Sequence, residues 1–476
     1  MSNDLPDGWT SVLLGELFNF KYGKGLPHEK RNGTGSIKVY GSNGVVGLHD
    51  RSVTKGPAII VGRKGSVGEI HLSDEECWPI DTTYFIDEFV GLPPGYWAFF
   101  FKSLRLGQQE KSSAIPGISR SDIYQVEVPL PPLAEQWRIV SKLGVLLAKL
   151  QDSQKRLENI PRTLKRFREA ILNAAVTGKL TINWRNKNGE MGTAAAELKS
   201  FGTALVARSF HTRELESTEG NEVLIDKVPV EWVTPSLEDL FRFIDYRGRT
   251  PKKARSGKRL ISAKNIKMGY ISEEPVEYVS NEFYKTWMTR GIPKKGDIFF
   301  VTEGHTMGFT ALNNRTDEFA LSQRTITLQP WQPIETTCFF YFIMSPIFQE
   351  LVRLNATGSA AVGIKAARFR GLPIPFPSRA ERQEIVRRVQ SLFALADQIE
   401  ARYSKVKAQV DRLTHPILSK AFQGELVRTE AELAAAEGRD YESAEELLKR
   451  IAYQRDSAVG SLTQSTRRSA IKEWLR

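Results

Sequence analysis

The sequence predicts a mixed α/β protein made of two tandem copies of one unit, in which a globular head is followed by a long amphipathic helix. Residues 134–180 align without a gap on residues 380–426, and 13 of the 47 paired positions are identical. Both stretches carry a seven-residue apolar pattern, which is typical of packed helices. The heads contain short apolar segments with glycine-rich turns, which indicate strands.

Composition narrows the class of protein. The chain has 476 residues, of which 41% are apolar, so it can form two or three domains with sizeable cores. The formal net charge of +12 favours a polyanionic partner, nucleic acid being one candidate. Cys77 and Cys338 are the only cysteines and predict neither a disulfide framework nor a metal site. No signal-peptide pattern and no apolar run of about 20 residues is found, so we expect a cytoplasmic protein.

The heads repeat only in their landmarks. LPDGW (5–9) corresponds to VPVEW (228–232), and we name these two stretches the opening motifs. PAIIVGRKGSVG (57–68) corresponds to DIFFVTEGHTMG (297–308), each being an apolar strand followed by a glycine-rich turn. Between the landmarks the two copies diverge. We therefore expect unlike heads on a repeated frame.

The long helices should pack along an apolar seam. Two amphipathic helices in one chain most simply pack on each other, either as a plain helical hairpin or as a rigid strut that separates the heads. Pro161 should kink or break the first helix. Ser378 with Glu381 predicts a capping box at the start of the second helix, and Gly178 and Gly424 predict the two ends. The predicted packing positions are Leu143, Leu150, Leu157, Leu164, Ile171, Val389, Tyr403, Val410 and Ile417.

Catalytic patterns are missing from the sequence. It has no phosphate-binding loop, no HExxH and no Cys/His cluster with zinc spacing, and we predict neither catalytic residues nor a metal. His305 is interpreted as a contact residue. The basic run at 155–168 is explained either by a solvated helix face or by a face toward phosphates or a partner.

Exposed polar and basic loops are the predicted binding elements. Base recognition needs paired donors and acceptors, and phosphate binding needs Lys and Arg around them. The stretch 247–259 holds seven basic residues and no acid, and 112–120 and 357–365 each end a head with a polar loop. The candidate DNA-binding residues are Lys21, Lys24, Ser42, Asn43, Arg63, Lys64, Ser66, Arg120, Arg247, Arg249, Lys252, Lys253, Lys264, Asn265, Glu303, His305 and Lys365.

The duplicated motifs resemble those of the specificity subunit of type I restriction–modification systems. The resemblance rests on the opening motifs, PLPPLAEQWRIV (129–140), LKRFREAILNAAVTGKL (164–180) and their second copies, and it covers nearly the whole chain. The second copy departs at Arg382 and at His415-Pro416. The resemblance implies an α/β (α+β) fold with two target-recognition domains in a pseudo-two-fold arrangement, separated by two long antiparallel helices.

The same resemblance implies a function and a division of the chain. Each head would recognise one half of a bipartite, asymmetric double-stranded DNA target. The helices would dock two modification (methyltransferase) subunits, and motor-nuclease restriction subunits would join them. S-adenosylmethionine, ATP and Mg²⁺ would serve these partners, with no cofactor in this chain. The expected segments are 1–130 (first head), 131–180 (central helix), 181–227 (connector), 228–376 (second head), 377–426 (second helix) and 427–476 (tail with a short helix).

Two alternatives stay open from the sequence. One is an enzyme that modifies nucleic acid alone through an unrecognised site. The other is a helical scaffold that binds DNA without sequence preference. A circular arrangement, with the C-terminal tail returning to the first head, is also expected, because 181–227 and 427–476 follow equivalent helices.

Overall fold

The computed structural model describes residues 5–31, 35–104, 119–188, 193–206, 219–246, 250–358 and 362–455. The chain forms two compact units, of which the first contains residues 1–158 and 405–476 and the second contains residues 159–404. Both boundaries, 158/159 and 404/405, fall at equivalent positions of the repeat. These two units divide the chain differently from the six linear segments expected from the sequence, because each unit combines parts of several segments. The six segments stay a prediction.

The first head is rich in short strands. Its helices are α1 (Leu14–Leu17), α2 (Pro94–Ser103) and α3 (Arg120–Tyr124), with a 3₁₀ turn at His28–Lys30. Its strands are β1 (Thr10–Leu13), β2 (Lys21–Tyr22), β3 (Ile37–Gly41), β4 (Gly44–His49), β5 (Ala58–Gly62), β6 (Ile70–Ser73), β7 (Cys77–Pro79), β8 (Thr83–Ile86) and β9 (Glu127–Leu130).

The middle of the chain is helical. It contains α4 (Leu133–Glu158), α5 (Ile160–Val176), a 3₁₀ turn (Lys179–Thr181), α6 (Ile182–Asn188), α7 (Ala194–Val206) and α8 (Glu222–Ile225).

The second head again mixes strands and short helices. The helices are α9 (Leu237–Leu240), α10 (Asn281–Trp287), α11 (Thr336–Met344), α12 (Pro346–Leu354) and α13 (Ala366–Arg370). The strands are β10 (Phe241–Asp245), β11 (Lys258–Ile261), β12 (Ile266–Lys267), β13 (Tyr270–Ile271), β14 (Tyr278–Val279), β15 (Ile298–Val301), β16 (Thr310–Leu312), β17 (Phe319–Leu321), β18 (Thr325–Pro330), β19 (Ala356–Thr357) and β20 (Gly363–Ile364). The chain then forms α14 (Arg379–Arg412), α15 (Thr414–Phe422) and α16 (Glu430–Glu437), and residues 444–455 are helical.

The two heads share one sheet topology although their sequences diverge. The first head has an antiparallel sheet in the order β2-β8-β5-β6, and the second has β10-β18-β15-β16. A three-stranded sheet follows the order β4-β3-β7 in the first head and β14-β11-β17 in the second, with one parallel pair in each. The duplication expected from the landmarks therefore extends to the tertiary structure of the heads.

The central strand of each head explains its uninterrupted apolar sequence. Side chains alternate between the two faces of a strand. In β5, Ile59 and Val61 join the large core, whereas Ala58 and Ile60 pack in a second cluster with Tyr40 and Cys77. In β15, Ile298 and Phe300 lie in one core, and Phe299 and Val301 lie in another. Because both faces are covered, apolar residues occupy every position.

The apolar seam of the long helices is largely buried, as predicted. Leu143, Leu150, Leu164, Ile171 and Val389 are buried. Leu157, Tyr403, Val410 and Ile417 are half-buried.

The first long helix is interrupted where Pro161 predicts it. α4 ends at Glu158, and Pro161 lies in the first turn of α5, where a missing N–H costs no helical hydrogen bond. Gly178 and Gly424 follow the helix ends with φ of 69° and 78°, which confirms their expected role. The predicted capping box is wrong in one of its two hydrogen bonds, the one from the Ser378 N–H to the Glu381 carboxylate. Ser378 Oγ accepts from the N–H of Glu381, but the Glu381 carboxylate faces the core.

The long helices run antiparallel within each unit. In the first unit, Gln154 Nε2 donates to Asp411 Oδ1 at 3.4 Å. Arg138, which precedes Gln154, pairs with Glu430, which follows Asp411, so the two segments run in opposite directions. In the second unit, Arg168 binds Asp397 at 2.6 Å. In the same unit, Arg185, which follows Arg168, binds Glu381, which precedes Asp397, at 2.7 Å. The mixed α/β fold with long antiparallel helices is thereby confirmed.

The C-terminal tail packs on the first head, as the circular arrangement requires. The N–H of Ala444 donates to Gly8 O at 3.0 Å, and Leu447 and Ile451 are buried in the core of this head. In the second unit, Ala194 of the connector is buried in the core of the second head.

Candidate nucleic-acid interface

Two turns of the first head bring several predicted binding residues together. The turn after β5 is closed by the N–H of Gly68 donating to Gly62 O at 2.9 Å. Ser42 lies against it, since a Cβ placed on Gly65 would be 3.3 Å from Ser42 Oγ. The two turns are therefore neighbours, with Asn43 and Lys64 exposed and Ser42 and Ser66 partly exposed.

A concave site of about 550 Å³ lies in the first head, and we name it the Tyr–Arg cleft. The guanidinium carbons of Arg63 and Arg120 lie 5.3 and 5.1 Å from the ring centroid of Tyr22. These two arginines, 57 residues apart in sequence, were both predicted to bind DNA. The lining residues are Tyr22, Arg63, Tyr84, Ser119, Arg120, Ser121 and Tyr124.

The two candidate lysines of the first head differ in whether a carboxylate neutralises their charge. Lys21 Nζ lies 2.7 Å from Asp87 Oδ1 and 2.8 Å from Glu88 Oε1. Partial burial opposes protonation, but these hydrogen bonds outweigh it and raise the pKa of Lys21. Lys24 is exposed, with Nζ 5.8 Å from the ring centroid of Trp78. Because Lys21 is already neutralised by two carboxylates, it is a poor candidate for a phosphate contact.

The equivalent turn of the second head carries different charges. Glu303 occupies the position of Arg63, and its Oε1 lies 3.1 Å from Arg324 Nε. His305 is exposed beside it. A cleft of about 550 Å³ lies here, lined by Ala263, Lys264, Lys267, Glu274, Pro275, Glu303, Gly304, His305, Thr306 and Arg324. The structure therefore brings the candidates Lys264, Glu303 and His305 together in one cleft.

One predicted base-contacting residue is wrong. Asn265 is completely buried. Its Oδ1 accepts from the N–H of Ser262 at 3.1 Å, and its Nδ2 donates to Ser272 O and Pro275 O at 3.1 and 3.0 Å. Its amide stabilises a loop and has no surface from which to contact a base, so we remove it from the candidates.

The remaining candidates fall into three groups. Arg247 and Arg249 lie outside the described residues. Lys252 and Lys365 are exposed, and Lys365 directly precedes α13. Lys253 is exposed but pairs with Glu277 at 2.6 Å.

Sequence reasoning missed Tyr22, Tyr84, Tyr124, Lys267 and Arg324, which line the two clefts. Tyr22 stands between Lys21 and Lys24, and this aromatic residue among basic ones was a usable signal. Arg324 stands in the short connection between β17 and β18, which only the strand bounds reveal.

The basic run at 155–168 is partly used within the helices. Arg168 binds Asp397 and Glu400, and Arg156 pairs with Asp152 at 2.8 Å. Among the described residues, no group of three or more His, Cys, Asp or Glu side chains is arranged to hold a metal. None of the helices in the described ranges is long and apolar enough to cross a membrane.

Comparison with known proteins agrees with this duplicated architecture. A family model for the type I restriction modification DNA specificity domain matches residues 6–162 and again residues 229–408. Each match begins at the second residue of an opening motif and covers one head and the first part of one long helix. The fold and the matches thus define a protein with two DNA specificity domains. The chain belongs to the type I restriction–modification DNA specificity family, and its identification from sequence motifs is confirmed.

Individual relatives support the same assignment. The EcoDI specificity subunit of Escherichia coli is 28% identical over 430 residues, which are 89% of each chain. The EcoBI specificity subunit of Escherichia coli is 29% identical over 338 residues, 69% of this chain and 65% of that one. The crystal structure of the HsdS subunit from Thermoanaerobacter tengcongensis has a TM-score of 0.54 at 15% identity, covering 89% of this chain and 99% of that one. It shows a shared fold.

Proposed function

We propose that this specificity subunit recognises a bipartite, asymmetric DNA target, with one half-site bound by each head. The observation that carries the proposal is the contrast between the equivalent turns. The strand order is the same in both heads, yet the first turn presents Arg63 and Lys64 where the second presents Glu303 and Gly304. Surfaces of opposite charge at equivalent positions do not favour the same bases.

The residues available on each turn suit major-groove contacts. A carboxylate accepts from the N4 amine of cytosine, whereas Asn and Lys donate to purine edges. Glu303 is partly exposed, and Asn43 and Lys64 are exposed. Around the turn of the second head, Lys264 and Lys267 supply positive charge for the flanking phosphates, and Arg324 pairs with Glu303.

The long helices supply surfaces for protein partners. Trp137 and Val145 of α4 are 53% and 52% exposed, and Leu395 and Ile399 of α14 are 47% and 38% exposed. Contiguous apolar patches on a surface commonly mark docking sites, and Leu395 and Ile399 lie four residues apart on one face of α14. We assign them to two modification subunits, joined by motor-nuclease subunits, since the relatives are specificity subunits of type I restriction enzymes.

Catalysis and cofactors are assigned to those partners. S-adenosylmethionine, ATP and Mg²⁺ would be bound by the modification and motor-nuclease subunits in the cytoplasm, and this chain would direct them to the target. Purified chain with S-adenosylmethionine, or with ATP and Mg²⁺, should neither methylate nor cut DNA. Activity of the chain alone would favour the alternative of an independent enzyme.

Mapping of chromosomal adenine methylation tests the assignment in cells. Cells that contain the chain and its partner subunits should carry methylated adenines at two unlike half-sites with a constant gap, and deletion of this chain alone should remove all of them. Methylation that persists without the chain would contradict the proposal.

A further inference from the structure

The Tyr–Arg cleft of the first head holds two arginines in fixed positions. Besides their shared contact with Tyr22, Arg63 lies 5.7 Å from the ring centroid of Tyr84, and Arg120 lies 5.9 Å from that of Tyr124. Guanidinium groups stack on aromatic faces and keep their N–H donors at the edges. Both side chains are thereby ordered before any ligand arrives.

Backbone hydrogen bonds fix the arginines further. Arg63 Nη2 donates to Asp81 O at 2.7 Å, and Arg120 Nη1 donates to Phe20 O at 3.4 Å. Carbonyl oxygens orient a guanidinium but do not neutralise its charge. Arg63 Nε is buried with no acceptor among the described residues.

The positive charge of the cleft is uncompensated within the described part of the chain. Neither Arg63 nor Arg120 forms an ion pair with a carboxylate of these residues, whereas Lys21, the sequence neighbour of Tyr22, has two. Two like charges that share one tyrosine ring repel each other unless an anion joins them. Ser119 and Ser121 add hydroxyl groups at the rim.

We infer that the Tyr–Arg cleft binds a phosphodiester of the DNA backbone and so sets the position of the first head on its half-site. A phosphate offers several acceptor oxygens to two arginine forks and to hydroxyl donors. A base that stacked on Tyr22 would have to displace guanidinium groups whose carbons lie 5.3 and 5.1 Å from the ring centroid, so a phosphate is the better ligand. The inference rests on the proposed function and deepens it.

The position of Arg63 couples this contact to base recognition. Arg63 belongs to the turn that also presents Lys64 and lies against Ser42. A phosphate held by Arg63 would therefore fix the register of these neighbouring side chains on the base edges. The equivalent positions in the second head are occupied by Glu303 and Ala366, so the pair of arginines is not repeated there.

Salt-dependent binding of the full-length chain tests the inference. Fluorescence anisotropy would be measured over a series of KCl concentrations, on a duplex carrying the methylated target and on an unrelated duplex. Arg63→Gln and Arg120→Gln should weaken binding to both duplexes by the same factor. The Arg63→Gln/Arg120→Gln double variant should lower the slope of log K against log salt by about 0.9, the value for one lost phosphate contact, and each single variant should lower it by part of that amount. Arg51→Gln, which removes an exposed charge of the same head outside the cleft, should change the slope less.

Neutral DNA linkages identify the phosphate. A methylphosphonate is placed at one position after another along the half-site of the first head. One position should weaken the wild-type chain and leave the Arg63→Gln/Arg120→Gln double variant unaffected. Thermal unfolding of each variant should match that of the wild type, and Arg63→Lys should recover most of the lost slope.

Several results would overturn the inference. Variants that relax the preferred half-site while keeping the wild-type slope would make the arginines base contacts. A wild-type thermal shift in inorganic phosphate that needs both arginines, without any change in DNA affinity, would make the cleft a free-anion site. If the wild-type chain prefers no duplex at all, the proposed function itself fails; if it prefers the target and the variants behave like Arg51→Gln, only the cleft assignment fails.

Discussion

A buried tryptophan–glutamate hydrogen bond explains two of the repeated motifs at the residue scale. Trp9 Nε1 donates to Glu135 Oε1 at 3.0 Å, and in the second unit Trp232 Nε1 donates to Glu381 Oε2 at 2.8 Å. Each bond joins an opening motif to the first turn of a long helix. Burial raises the pKa of Glu135, so this carboxylate depends on its donors to remain charged.

Removing one tryptophan donor should destabilise the second unit. Trp232→Phe keeps most of the apolar contact but leaves a buried Glu381 oxygen without its donor, at a cost of about 1–3 kcal/mol. Urea unfolding should show this loss. Trp137→Phe is the matched control, because Trp137 is 53% exposed, and should change stability by less than about 0.5 kcal/mol. Equal effects of both variants would contradict the role of the bond.

Asp297 should make the stability of the second head dependent on pH. Burial raises its pKa to about 6, although the N–H of Lys294 and Gln329 Nε2 donate to its Oδ2. Between about pH 4 and pH 6 the native state holds a proton that the unfolded chain has lost, so its contribution to stability falls as pH rises and is constant above that range.

Substitution of Asp297 isolates this contribution. Asp297→Asn should remove a pH-dependent change of about 3 kcal/mol between about pH 4 and pH 6, measured by denaturant unfolding at several pH values. Asp317→Asn is the control, since the hydrogen bond to Arg315 lowers the pKa of Asp317 and its titration lies below this window. A wild-type slope in Asp297→Asn would rule out the assignment.

Local sequence identifies the types of residue suited to bind DNA better than it identifies which of them are buried. Arg63, Arg120, Glu303 and His305, which the sequence predicts on loops, line clefts in the structure, and their contacts with DNA stay a prediction. The prediction for Asn265 was wrong, because its neighbour Lys264 is exposed and nothing in the sequence shows that the loop folds over the Asn265 amide. Arg382, a departure from the first copy, proves to be a buried side chain that binds Glu197 and Glu335, a partnership between residues far apart in the chain.

At the scale of elements, periodicity predicts the helices and strands but not their pairing. The seven-residue pattern identifies the seam, and the apolar runs identify β5 and β15. The parallel pair of β3 with β7 joins segments with three other strands between them, so no local pattern specifies it. The Pro161 break was predictable, because proline cannot continue the helical hydrogen-bond ladder.

The seam and the exposed helix face should respond differently to the same substitution. Leu143→Ala removes a completely buried side chain and should cost about 2–5 kcal/mol in urea unfolding. Leu395→Ala removes a side chain that is 47% exposed and should cost much less, while weakening assembly with the modification subunit in gel filtration. Full assembly of Leu395→Ala would contradict the proposed docking face.

At the scale of the whole molecule, the end of each long helix lies against the opening motif of the other copy. A Cβ on Gly424, at the end of the second long helix, would lie 2.5 Å from Pro6 Cγ of the first opening motif. A Cβ on Gly178 would lie 2.3 Å from Pro229 Cγ of the second opening motif. Each helix end therefore contacts the opening motif of the next copy in a circular order. The circular order follows from the repeat in the sequence, whereas the close contacts needed the structure.

Binding selection from random duplex DNA by the purified full-length chain tests the central claim most directly, because no partner contributes to it. The claim is that two heads of one topology and unlike surfaces recognise two unlike half-sites. We expect the bound duplexes to share two different sequence elements at a constant separation. A palindromic consensus, a single element or no consensus would contradict the account.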